Sequence, residues 1–332
     1  RADAFLADFH AAWQKAELGD DAMALLDEPS VKGFLGGVLV GSRYLNMLML
    51  RDPARAHRVL TRDPDQHLAS LMSELRDAVA EPAPQKAWMT RLRNFKAEAA
   101  LIIALSDLGG VWPIMRVTDA LARTADAACD AAIAYLFNEA VRKGEWLAEE
   151  ASTDAHATSG YFVLAMGKHG AFELNYSSDI DLIVFYDLEK ARVRDGLEPA
   201  AFFVKITRDL VQLLNERTSD GYVFRTDLRL RPDPGATPAA ISTNSALHYY
   251  ESFGQNWERA AMIKARPVAG DIAAGEQFLS ELAPYVWRKY LDFAAIADIH
   301  AMKRQIHAHR GFARIAVAGH NIKLGRGGIR EI

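Results

Sequence analysis

The sequence predicts an α+β protein: a mixed sheet packed against helices, with helical regions on both sides. Three observations carry this. Residues 1 to about 150 keep the three-and-four spacing of apolar residues that makes a helix face. From Tyr161 the pattern changes to strand-length runs, Tyr161–Met166 and Asp179–Tyr186, followed by a period-two stretch at Tyr222–Arg231. Helical spacing then returns from Ala274 to Val317. The expected organisation is a helical region over 1–155, a sheet-containing unit over 156–270 and a further helical region over 271–332.

A chain of 332 residues exceeds one ordinary domain, so two or three compact units are expected. Its 50% hydrophobic and 25% charged residues are those of a soluble globular protein with a sizeable core. A net charge of −4 gives no general pull toward nucleic acid or an anionic membrane, so neither is expected as a partner. Cys129 is the only cysteine, which excludes an intrachain disulfide and suits a reducing cytoplasm. No apolar stretch reaches the roughly 18 residues of a spanning helix. The nearest, Phe34 to Leu50, is broken by Arg43 and Asn46. The chain opens at Arg1 and closes at Ile332 inside a glycine-rich motif, and reads as a fragment of something longer.

Taken in order, Phe5, Leu6, Phe9, Ala12 and Trp13 define a first amphipathic helix within Arg1–Leu18. Asp52-Pro53 and Asp63-Pro64 are helix starts, an acid at the cap and proline at the first helical position. Glu81-Pro82-Ala83-Pro84 is a break. A long helix follows over Ala87–Leu108, stopped by Gly109-Gly110, and an alanine-rich one over Val117–Val141. Arg91, Arg93 and Lys96 are a binding stripe or, in the preferred reading, a solvated helix face. Glu149–Ser159 reads as a linker, and Ala200–Thr218 as a helix with Phe203, Ile206, Leu210, Leu213 and Leu214 on its apolar side.

The chemistry concentrates in Gly160–Asp187. Asp179 and Asp181 stand at the start of the second strand, on one face and about 7 Å apart. Two acids there repel one another, and a divalent cation would cancel that repulsion. Gly167, Gly170, Ser177 and Ser178 let backbone amides approach an anion, and Lys168 adds positive charge, as a nucleotide phosphate requires. A surface turn with two solvated acids is the plain alternative.

The stretch Gly167-Lys168-His169-Gly170-Ala171-Phe172-Glu173-Leu174-Asn175-Tyr176-Ser177-Ser178-Asp179-Ile180-Asp181-Leu182 resembles the signature of the bifunctional glutamine synthetase adenylyltransferase/adenylyl-removing enzymes. These belong to the polymerase-β-like nucleotidyltransferases, marked by a Gly-Ser turn followed by Asp-x-Asp. Lys168 stands where the wider superfamily has serine, a departure usual in this family. A second family motif matches Asp227-Leu228-Arg229-Leu230-Arg231-Pro232, and a third, W-E-R-x-A-x-x-K-A-R, matches Trp257 to Arg266.

The resemblance implies a polymerase-β-like catalytic domain over 156–270. It makes Asp179, Asp181 and Asp227 the catalytic and metal-holding acids, carrying two Mg²⁺, with Mn²⁺ as the alternative. Gly167, Lys168, Gly170, Ser178, Arg229, Arg231, Lys264 and Arg266 are the expected nucleotide- and phosphate-binding residues. On its own residues, the Tyr222–Arg231 strand face could equally be an exposed row of ion pairs. Arg259 could pair with Glu258 or Glu251, and Trp257 is expected in the core rather than under a base. His300 and His307, seven apart, are two turns apart on a helix and too distant to share a zinc ion. They and His309 are read as surface or capping histidines.

The closing glycines Gly325, Gly327 and Gly328, with Lys323, Arg326 and Arg330, could cradle a phosphate or form a flexible turn. The resemblance instead makes Gly328-Ile329-Arg330 the end of the N-terminal, adenylyl-removing half. That half implies phosphorolysis: phosphate attacks the α-phosphorus of tyrosyl-AMP on glutamine synthetase, the tyrosine phenolate leaves and ADP is formed. The implied partners are glutamine synthetase, a PII-type nitrogen regulatory protein, ATP, ADP, AMP and phosphate, and the C-terminal adenylylating half of the same polypeptide. Two other classes stay open: an ATP-dependent adenylyl or uridylyl transferase for another target, and a non-catalytic nucleotide- or partner-binding module.

Overall fold

The computed structural model describes residues 2–148 and 154–287, with isolated positions at 297, 300, 301, 304, 320 and 322. The glycine-rich end over 323–332, His307, His309 and, those isolated positions apart, the helix expected beyond 287 therefore lie outside the described residues, as does 149–153 of the expected linker.

The N-terminal part is helical, as its spacing demands. It comprises α1 (Ala2–Lys15), α2 (Asp20–Asp27), α3 (Pro29–Gly41), α4 (Arg43–Arg51), α5 (Pro53–Thr61) and α6 (Pro64–Asp77). The caps follow the sequence. Asp52 accepts from the amide of Arg55 and Asp63 from that of Gln66, both at 2.9 Å, with proline at the first helical position. Phe9, Trp13, Leu35, Leu39 and Met49 form a core of their own. No single helix among the described residues is long and apolar enough to cross a membrane.

Two long helices then carry the chain to the sheet. α7 (Gln85–Leu108) and α8 (Ile114–Arg142) are separated by a turn in which Gly110 takes φ +67°, a left-handed conformation suited to glycine. Leu101 and Leu105 of α7 close the N-terminal core. Arg93 overturns the expected solvated face. It is 2% exposed, and its guanidinium donates to the carbonyls of Met89, Leu213, Gly221 and Glu216. Lys96 is half-buried with its ammonium 4.0 Å from the centre of the Phe224 ring, and burial lowers its pKa to about 8. α7 has little free face, and long cationic stems bury readily when their heads find carbonyls or a ring. Arg93→Ala strands those carbonyls. It should cost about 2–4 kcal/mol in urea unfolding, with Arg93→Lys intermediate because an ammonium cannot reproduce the fork.

The sheet-forming part adds β1 (Tyr161–Ala165), the single turn α9 (Gly167–Gly170), β2 (Ile180–Tyr186), α10 (Pro199–Asn215), β3 (Thr226–Asp227) and β4 (Ile241–Ser242). After these come α11 (Thr243–Ser252), α12 (Asn256–Met262), β5 (Arg266–Gly270) and α13 (Ile272–Val286). The sheet runs β3-β2-β1-β5, and β4 also pairs with β2. β1 is antiparallel to β2, with Tyr161 opposite Tyr186 and Ala165 opposite Leu182, and antiparallel to β5. β3 and β4 run parallel to β2, at its start and its end. The sheet is mixed, as expected, and the two apolar runs are adjacent strands.

Both faces of β1 are covered, which is why it reads as an unbroken apolar run. Tyr161, Val163 and Ala165 join a core shared with α6, α7, α8 and α10. Phe162, Leu164 and Met166 join a second, with Tyr250 of α11 and Phe278 and Leu282 of α13. Thus α6, α7, α8 and α13 share cores with the sheet, while α1–α5 pack in a core of their own against the end of α7.

Two expectations change here. The alternation of Tyr222–Arg231 predicts a strand, but only Thr226 and Asp227 pair. The amides of Val223 and Phe224 instead bond the Leu214 carbonyl at 2.9 and 3.1 Å, so this stretch wraps the end of α10 and buries both side chains. Trp257, expected in the core, is 37% exposed. Its neighbour Glu258 is buried instead, and accepts from the Gln255 amide and the Tyr249 hydroxyl to close the start of α12.

Candidate active site

The site forms where β2 begins. The chain leaves β1 at Met166, whose amide bonds the Asp181 carbonyl at 2.9 Å, and turns through α9. Gly167 takes φ +55° and faces Asp181 so closely that a Cβ there would lie 3.5 Å from Asp181 Oδ2. On the other side Asp181 is the register partner of Asp227 in the parallel β2–β3 pair. Asp179 precedes β2 by one residue. The three predicted acids therefore share one edge of the sheet below the glycine turn.

Their electrostatics differ. Asp181 is half-buried, and its pKa is raised by burial first and then by the charges of Asp227 and Asp179, while Arg229 and His169 oppose the shift. Asp227 is lowered, chiefly by its hydrogen bonds from Arg229. The Arg229 guanidinium grips its carboxylate at 2.5–3.0 Å and the Arg229 amide adds a bond at 2.8 Å. Asp179 is exposed and accepts from Arg225 Nε at 2.5 Å; Arg225 also reaches the Ser177 carbonyl and the Tyr222 hydroxyl.

Among the described residues no three His, Cys, Asp or Glu side chains are gathered closely enough to hold a metal ion as they stand. The physical reason is the arginines: each outer acid is drawn to one. Both arginines are open to solvent, Arg229 with 84% of its side chain exposed, so exchanging either pair for a cation costs little. The donors are hard carboxylate oxygens, and the like charges that raise Asp181 are what a divalent cation would neutralise. The residues fit Mg²⁺.

The predicted phosphate-binding residues separate into two groups. Gly167 and exposed Lys168 lie on the turn above the acids, Ser178 just before them and Arg229 on Asp227. The other four have partners elsewhere in this structure. Gly170 is buried: a Cβ there would meet the Lys264 carbonyl oxygen at 1.9 Å and that of Ala165 at 2.5 Å, and its amide bonds Met166. It is a close-packing glycine. Arg231 clamps its own loop through the carbonyls of Leu228, Pro234 and Thr237. Lys264 pairs with Glu173 at 2.7 Å. Arg266 turns toward α8, where both its terminal nitrogens meet Asp126. The alternation that put Lys264 and Arg266 on one face fails because β5 begins only at Arg266.

Two residues in this region escaped the sequence reading. His169 stands inside the glycine turn, a position that could have drawn notice. Asp126 is one of four acids along an alanine-rich helix, with Asp119, Asp130 and Glu139, and nothing local singles it out.

A model of the glutamate-ammonia ligase adenylyltransferase family matches residues 18–281. The chain is 52% identical over its whole length to a bifunctional glutamine synthetase adenylyltransferase/adenylyl-removing enzyme of Bradyrhizobium diazoefficiens, covering 33% of that protein. It is 55% identical over 92% of its length to the enzyme of the same description from Xanthobacter autotrophicus, covering 30% of it. To that of Brucella suis it is 50% identical over 100% of its length, covering 34%. The chain thus spans about a third of the length of the curated relatives it matches. It belongs to the glutamate-ammonia ligase adenylyltransferase family.

Proposed function

We propose that this chain is a polymerase-β-like nucleotidyltransferase unit that removes AMP from a tyrosine of glutamine synthetase by phosphorolysis, yielding ADP and the unmodified protein. The observation that carries the transferase reading is the pairing of Asp181 with Asp227 beneath the Gly167 turn, with Asp179 alongside. Two Mg²⁺ bound there would neutralise the phosphates and polarise the tyrosine oxygen, a leaving group with pKa about 10. Asp179, Asp181 and Asp227 would hold them.

The chain's own residues supply orientation and charge. Gly167 exposes backbone close to Asp181, Lys168 offers a cation, and Arg225 and Arg229 become available to phosphate oxygens once their carboxylates are engaged elsewhere. The removing direction rests on the likeness of Gly328-Ile329-Arg330 to the end of the removing half. The reading also supposes a PII-type regulator, an adenylylating second half and a cytoplasmic setting.

The test is to incubate the chain with adenylylated glutamine synthetase, phosphate and Mg²⁺ and to measure ADP. Phosphate-dependent ADP release is expected, with Mn²⁺ as a substitute. Pyrophosphate release from ATP and unmodified glutamine synthetase would assign the chain to the attaching reaction instead. No nucleotide chemistry with either protein form would leave a binding module.

A further inference from the structure

A four-residue turn with a left-handed glycine does not hold its own orientation, and α9 has no side-chain cap. What holds it comes from α8. His169 is 1% exposed and its Nε2 lies 2.7 Å from Asp126 Oδ1. The same carboxylate takes Arg266 in a two-pronged contact, 2.9 Å to Nη1 and 3.1 Å to Nη2. Arg266 in turn donates to the carbonyls of Gly170 at 3.3 Å and His169 at 3.4 Å, and lies 3.8 Å from the centre of the Phe172 ring. One carboxylate thus ties together a helix, the turn's inward side chain and the turn's carbonyls. One turn further along α8, Asp130 accepts from the Gly270 amide at 3.1 Å, so the same helix face fixes both ends of β5.

We propose that Asp126 is a positioning residue for the nucleotidyl-transfer site, acting through His169 and Arg266 to hold Gly167 and Lys168 against Asp181. Successive residues on a helical turn point about 100° apart. Anchoring His169 inward therefore leaves Lys168 on the exposed side of the turn that carries Gly167 past Asp181. Released from Asp126, His169 and Arg266 keep their bulk but lose the group that sets their direction, and the turn can rotate. The inference rests on the transferase reading above but not on its direction.

The test uses the 332-residue chain with Mg²⁺, well below the unfolding temperature of each variant. Asp126→Ala should lower kcat by about ten- to a hundred-fold, as a misplacement of about 1 Å does, with KM for the protein substrate nearly unchanged. Asp126→Glu, which keeps the carboxylate, should recover most of the rate. The decisive readout is coupling. Lys168→Ala should cost at least about ten-fold in the native background but less than about three-fold on Asp126→Ala, because the displaced turn no longer presents Lys168. The same Lys168 penalty in both backgrounds overturns the proposal, as does a folded Asp126→Ala with native kcat. If the native chain turns over neither form of glutamine synthetase, the catalytic reading fails by itself. Positioning is then read from ADP binding in Mg²⁺, which Asp126→Ala should weaken about ten-fold; unchanged affinity overturns it.

Discussion

Asp181→Asn is expected to lower turnover by about three orders of magnitude while leaving the protein as stable as before or slightly more so. Asp181 is the member of the acid set fixed on a paired strand, half-buried, and facing both the glycine turn and Asp227. Asn keeps the shape and one oxygen but removes the charge that a divalent cation and a phosphate-bearing substrate require. The stability direction follows from linkage. Asp181 titrates above the ordinary carboxylate value because burial and two like charges penalise its ionised form. Between the ordinary and the raised pKa the native state holds more protons than the unfolded one, so this group's contribution falls as pH rises through that window. The Asn variant does not titrate and should gain relative to native protein above the window, with the gain vanishing below it. Initial rates of ADP formation and thermal unfolding at neutral and acid pH measure both effects. A variant with more than a tenth of native activity sinks the assignment.

Asp227→Asn should differ in stability, because Asp227 is lowered by its Arg229 bonds and contributes above, not below, the ordinary carboxylate range. Opposite signs of stability change in two neighbouring acids would separate a strained site carboxylate from a paired one.

Local signals made much of this fold legible. The capping acids before Pro53 and Pro64 and the two apolar strand runs are decided within a few residues of sequence, and the structure has them where expected. What misled was alternation without a partner. Tyr222–Arg231 has the period of a strand, but a strand also needs a neighbour to pair with along its length, and Leu214 at the end of α10 takes its amides first. Arg93 and Arg266 misled for a related reason. A cation on a helix or strand reads as solvated or ligand-facing until the carbonyls of Glu216 and Gly221, or the carboxylate of Asp126, are known to stand opposite. Those partners lie more than a hundred residues away, and nothing local announces them.

The glycines of the turn separate site from scaffold most sharply. Both Gly167 and Gly170 are read from the sequence as making room for an anion, yet their surroundings differ. A Cβ on Gly170 would sit 1.9 Å from the Lys264 carbonyl oxygen and 2.5 Å from that of Ala165. Neither neighbour is the end of a flexible side chain, so the backbone must part between β1 and the approach to β5. Gly170→Ala should therefore cost about 3 kcal/mol or fail to accumulate as folded protein. Gly167→Ala meets no backbone; its cost is the left-handed φ of +55°, about 1 kcal/mol. Its methyl group would stand 3.5 Å from Asp181 Oδ2, in the space a ligand of that carboxylate must use. The Gly167 variant should fold with nearly native stability and lose about ten- to a hundred-fold in rate. Denaturant unfolding and initial rates on the two purified variants make the comparison. If Gly170→Ala melts within about 2 °C of native while binding ADP poorly, Gly170 contacts the anion after all and the packing account is wrong.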